Sequence, residues 1–181
     1  MYNSYKPFTA MLSKSLQSAI NAQINAEYWS AYLYLSMSLD AQTKNLNGIA
    51  NWFYIQWLEE QDHARILEQY LGVRDARVEL QPIGSVPPAW PDVRAMFSDT
   101  LQHEQEVTAM IVDLMSMARQ EKDYASMGRL QWFIDEQMEE EQSARDILAR
   151  IDMYGSDRLS LYILDHDLGQ RQYTPAEPLD K

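Results

Sequence analysis

Apolar residues recur at three- and four-residue steps along the first quarter of the chain, through Leu12, Leu16, Ile20, Ile24, Tyr28, Ala31, Tyr32, Leu35 and Met37. That spacing is one face of an α-helix and predicts a first helix over about 8–42. Asn45 and Gly48 bound a short turn with an N-cap. A second stripe follows over about 46–71, carried by Ile49, Trp52, Phe53, Trp57, Ile66, Leu67 and Tyr70, with Gly72 as its natural stop. The pattern then breaks over 74–90, where Pro82, Gly84, Pro87 and Pro88 fall. Periodicity resumes from Pro91, a favourable first-turn proline, to about Gln120, and again from about 124 to Tyr154 before Gly155. A short amphipathic segment, about 157–168, ends at Gly169.

Four helices of nearly thirty residues are each roughly 40 Å long. Their connections read short, long, short. A long irregular connection inside a compact domain is uncommon, and a crossover from one end of a bundle to the other is a good reason for one. The expected architecture is therefore all-α: two antiparallel hairpins joined by a long crossover between helices 2 and 3, with a short fifth helix at the C-terminal end. Residues 1–181 are expected to form a single domain, with a helical core over about 8–170 and a mobile tail over 171–181. The fifth helix, with Leu159, Leu161, Tyr162, Leu164 and Leu168, has more apolar surface than one bundle edge covers.

Each long helix carries polar residues where its apolar stripe passes mid-length. Glu27 lies between Ile20, Ile24, Ala31 and Leu35, and Glu104 between Phe97, Leu101, Met110 and Ile111. Glu60 and His63 stand at i, i+3 beside Trp57, Ile66 and Leu67, and Gln137 and Glu140 at i, i+3 beside Phe133, Ile134 and Leu148. Taken singly, any of these is an ordinary boundary residue whose head reaches water. Together they would meet at one level of a bundle, and unpaired buried carboxylates cost several kcal/mol each. Two divalent cations would balance Glu27, Glu60, Glu104 and Glu140.

Composition narrows the chemistry. The 181 residues carry a formal net charge of -12 and 46% hydrophobic residues, with only six glycines and seven prolines. The acidity makes nucleic acid an unfavourable partner. There is no cysteine, which removes disulfides, thiolate metal sites and cysteine nucleophiles. Metal must then be held by carboxylate, imidazole, amide or water, a set suited to iron or manganese. The three histidines, His63, His103 and His166, lie on separate segments, against a three-histidine zinc site. Neither a secretory signal near the start nor a membrane-spanning stretch is visible, so a cytoplasmic protein is expected.

The segments NAEYWSAYLYLSM, WLEEQDH, TLQHEQE and LQWFIDEQMEEEQ occur in this order. Each resembles the corresponding helix of bacterial-type non-haem ferritins, over about residues 12–170. The resemblance implies an iron-storage protein with ferroxidase activity, with two irons per subunit and a 24-subunit homo-oligomeric cage. Fe(II) and O2 or H2O2 would be the substrates. It further implies that Glu27, Glu60 and His63 hold one iron, with Glu60 bridging, while Glu104, Glu140 and Gln137 hold the other. Tyr34 matches a tyrosine close to the di-iron centre that would supply a further electron. Glu59, Glu136 and Glu139 match a third iron position. Bacterioferritins and rubrerythrins carry Glu-x-x-His twice; here the second copy reads Gln137-x-x-Glu140, which suits iron in passage. No haem is expected, the ten methionines reading as core. The alternatives are a di-iron oxidase or peroxidase of the rubrerythrin or bacterioferritin type, and a purely structural bundle.

Overall fold

A computed structural model describes residues 11–154 and 157–179. The helices are α1 (Lys14–Thr43), α2 (Asn47–Val73), α3 (Val93–Glu121), α4 (Tyr124–Tyr154) and α5 (Arg158–Leu168), followed by a single 3-10 turn, Glu177–Leu179. α1 packs chiefly on α2, and α3 on α4, giving two hairpins; α5 lies against α2 and α4. The described residues therefore have the predicted four-helix bundle with its short fifth helix.

Local chemistry sets the ends. Ser13 caps α1 by accepting from the Leu16 amide, and Asp92 caps α3 by accepting from Ala95. Pro91 thus precedes the cap instead of entering the first turn. α1 begins at Lys14, and the expected residues 8–10 of its start lie outside the described residues, as does Gly155. Gly72 falls inside α2, which runs one turn-fragment further to an Arg74 C-cap. Leu46, the N-cap of α2, offers no side-chain acceptor, so the role expected of the 45–48 turn is filled from elsewhere: Asp165 Oδ1 of α5 accepts from the Ile49 amide at 2.8 Å. Asn45 makes that turn possible with φ 59, a left-handed value that asparagine tolerates.

The crossover runs parallel to α1 and is held by it. Asn21 bonds to the Arg77 carbonyl and the Glu79 amide, Ser36 donates to the Pro87 carbonyl at 2.6 Å, and Asp40 accepts from the Trp90 amide at 2.9 Å. Each bond satisfies a backbone group that no helix or sheet would. Trp90 is itself buried at the top of α3. This covering explains why Asn21 and Asp40 are buried on an outer arc of α1.

The core is divided in two. One apolar cluster joins Leu16, Ile20 and Ile24 to Ile66, Leu67, Ile111 and Phe133; the other joins Tyr34 and Met37 to Phe53, Met96, Phe97 and Ile147. Between them, near the middle of all four long helices, lies a layer of buried polar side chains.

Candidate metal centre

The layer is built from one to three inward positions per helix. α1 supplies Gln23, Glu27 and Ser30; α2 supplies Gln56, Glu60 and His63; α3 supplies Glu104; α4 supplies Gln137 and Glu140, all of them buried. They are inward because each sits one or two helical turns from core residues on both sides, as Glu104 does between Phe97 and Ile111. The face containing Glu104 is Phe97, Thr100, Val107 and Ile111, since Leu101 is only half-buried and Met110 is exposed. Tyr32, read from spacing as part of the α1 stripe, is likewise exposed.

Two sets of ligand-type atoms converge. Glu27, Glu60 and His63 each offer one atom within 4.8 Å of the others, and so do His63, Glu136 and Glu140. His63 belongs to both sets: its Nδ1 lies 3.4 Å from Glu60 Oε2 and its Nε2 3.9 Å from Glu136 Oε1. The resemblance implies this ring for the first iron; its two nitrogens lie nearest different carboxylates. Glu104 belongs to neither set. Its carboxylate accepts from the Tyr34 hydroxyl and, at 2.9 Å, from Gln137 Nε2. Gln137 therefore turns its nitrogen to Glu104 and leaves its Oε1 as its only ligand-type atom. Tyr34 is fully buried, stacked on Phe53 and beside the layer as expected. Of the three extra carboxylates, Glu136 joins a convergent set, Glu59 is half-buried, and Glu139 is exposed and in neither set.

Several polar partners escaped the sequence reading. Gln23 donates to Glu27 Oε1 at 2.9 Å and Gln56 to Glu140 Oε2 at 2.8 Å. Their signal was a glutamine four residues before each of Glu27 and Glu60, on the same helix face. His103 bonds Ser30 Oγ through Nε2 at 2.7 Å and packs edge-on to Tyr34. Burial lowers its pKa to about 4, so it is neutral at physiological pH and adds no charge to the layer.

The electrostatics mark a site short of cations. Burial raises the Glu27 and Glu60 carboxyls, most strongly Glu60, despite the opposing pull of His63. Glu104 rises to about 8 through burial and then the charge of Glu140. Burial alone would lower His63, but Glu60, Glu27 and Glu140 carry it well above its ordinary range. Burial also raises Tyr34, with Glu104 adding to the effect. Glu27 Oε2 has no hydrogen-bond donor among the described residues, and it lies near a second carboxylate, Glu60. Protons hold such a layer together without metal; divalent ions would replace them, and carboxylate with imidazole is a donor set that suits iron.

A four-helix bundle with one long crossover and a carboxylate–histidine layer across its core is the architecture of ferritin-like bundles. The chain belongs to the ferritin family, whose profile, described as a ferritin-like domain, matches residues 17–154. It is 36% identical over 163 residues to a bacterial non-heme ferritin of Staphylococcus aureus, covering 90% of this chain and 98% of the relative. A bacterial non-heme ferritin of Bacteroides fragilis is 37% identical, with 89% and 100% covered. Among solved structures, an open-pore ferritin from the hyperthermophilic archaeon Archaeoglobus fulgidus superposes with a TM-score of 0.88 at 42% identity, covering 89% of this chain and 99% of that one.

Proposed function

We propose that this chain is an iron-storage subunit that oxidises Fe(II) at the buried layer and passes ferric iron to a mineral store inside a 24-subunit shell. The observation that carries the reading is the unpartnered, buried Glu27 Oε2, facing a second carboxylate and within reach of His63. Glu27, Glu60 and His63 hold one Fe(II). Glu140, Glu104 and Gln137 hold the other, with Glu104 turning toward the metal as its proton leaves. Glu60 is the residue shared between them. Glu59 and Glu136, with Glu139 at the rim, form a weaker third position. Carboxylate ligands favour the ferric state, so two Fe(II) together deliver two electrons to O2, which takes up two protons and leaves as H2O2. Tyr34 donates its hydroxyl to Glu104; one electron from it, together with one from an Fe(II) at the third position, would instead carry O2 with four protons on to two waters.

The test pairs rate with size. Aerobic addition of Fe(II) is expected to show a fast phase of two irons per chain, followed by slower uptake into a particle on the order of 100 Å across, far larger than one domain of this length. A protein that elutes as a monomer or dimer, or one that retains no iron after oxidation, would defeat the storage reading.

A further inference from the structure

Beyond α5, residues 171–179 lie along α2. Asn51 donates to the Arg171 carbonyl at 3.0 Å, the Arg171 guanidinium sits 4.9 Å over the Trp52 ring, and Asp62 accepts from the Tyr173 hydroxyl at 2.7 Å and the Ala176 amide at 3.0 Å. These α2 positions recur at helical spacing, so the strap follows one face of the helix, the face that also carries Glu59. The docking uses charge and aromatic surface on α2, and Ala176 and Leu179 of the strap pack against the first apolar cluster.

Arg171 is the point where the strap meets the metal layer. Its Nη2 pairs with Glu59 Oε2 at 2.6 Å, and its Nη1 donates to Gln56 Oε1. Gln56 then donates its Nε2 to Glu140 Oε2 at 2.8 Å. Because the guanidinium can only donate, it fixes the Gln56 amide with oxygen outward and nitrogen toward Glu140. The pair remains accessible to an arriving ion: the Arg171 and Glu59 side chains are 27% and 20% exposed.

We propose that Arg171 is a tethered cation of the metal centre: it occupies Glu59 until a divalent metal displaces it, and through Gln56 it positions Glu140. The proposal rests on the reading of Glu59 as a metal ligand given above. It makes Arg171 a positioning residue with opposite effects at two places. At the outer position it competes with metal; at the inner one it supports a ligand.

The test is calorimetric titration of the full-length assembled protein with Zn2+, which is not oxidised. Arg171→Ala is expected to tighten the weakest zinc site roughly tenfold, the scale of one charge-assisted hydrogen bond removed. It should also loosen the tighter sites severalfold. Adding Glu59→Gln should cancel the gain but not the loss, and Arg171→Lys should keep most of the competition without the Gln56 contact geometry. A merely structural arginine would loosen all sites together, and that result, or no change, overturns the proposal. Glu59→Gln in the presence of Arg171 separates the two ideas. If it leaves every zinc site unchanged, Glu59 is no ligand, and the third-position reading and the competition fall together. If it abolishes the weak site while Arg171→Ala does not tighten it, only the proposal falls. Should Arg171→Ala not assemble, Tyr173→Phe loosens the strap with its charge intact and should shift the weak site in the same direction by less; no shift there also overturns the proposal.

Discussion

Glu60 is in contact with His63 and close to Glu27, so its buried charge is costly to hold without a cation. Glu60→Gln keeps the volume and removes the charge. Fe(II) oxidation should fall by at least about 100-fold, since even outer partners of metal ligands cost 10–100-fold, while the metal-free fold should be unchanged or firmer. Stopped-flow traces at wild-type rate would remove Glu60 from the centre. A second consequence concerns pH. Glu104 keeps its proton up to about 8 in the fold against an ordinary 4.5, so its protonated form favours folding. That contribution is complete below pH 4.5 and is lost as pH rises through about 8. Metal-free protein should therefore lose stability across that window, by as much as about 1.4 kcal/mol per pH unit for one proton. Glu104→Gln, which has no proton to lose, should flatten that part of the curve in thermal melts from pH 5 to 8.5; a slope identical to wild type would contradict the assignment.

At the scale of elements, α5 and the crossover show how polar details place long helices. α5 is not free at its inner side: Leu164 and Leu168 are buried, while Leu159 and Tyr162 remain 67% and 68% exposed. The contact with α2 is close because Gly48 has no side chain; a Cβ there would lie 1.6 Å from the Asp165 carbonyl oxygen. Gly48→Ala must push α5 outward and weaken the Asp165–Ile49 cap, at a cost of about 1–3 kcal/mol. Chemical denaturation should show the loss, and amide exchange should quicken through α5 first; unaltered midpoint and protection would mean the helix tolerates displacement. The glycine was visible in the sequence only as a turn residue. Its role in a helix–helix approach depended on α5 returning to the start of α2, which no local pattern contains.

For the whole molecule, the decisive feature is a core split by a charged layer. The two apolar clusters stabilise the bundle, whereas buried carboxylates without a cation oppose it, so a bound divalent metal should act as a structural ligand. At a free Zn2+ concentration of 100 times Kd the gain is about 2.7 kcal/mol for one site, which for a domain of this size is roughly 5–10 °C in Tm. The gain should disappear in a Glu27→Gln, Glu60→Gln double variant; a shift that persists there would place the stabilising metal elsewhere. What the sequence determined by itself was the set of long helices, the crossover and the level at which acids interrupt each apolar stripe. Those follow from a 3.6-residue period and from proline and glycine positions, both local properties of the chain. Tertiary structure alone decided that His63 presents its ring to two carboxylate sets, that Gln137 serves Glu104 with its nitrogen, and that Glu139 stands aside at the surface. It also decided that Arg171 reaches Glu59 across more than a hundred residues of chain. Periodicity assigns a side chain to a helix face, but which atom of it meets which partner depends on the rotation and depth of helices packed from distant parts of the sequence.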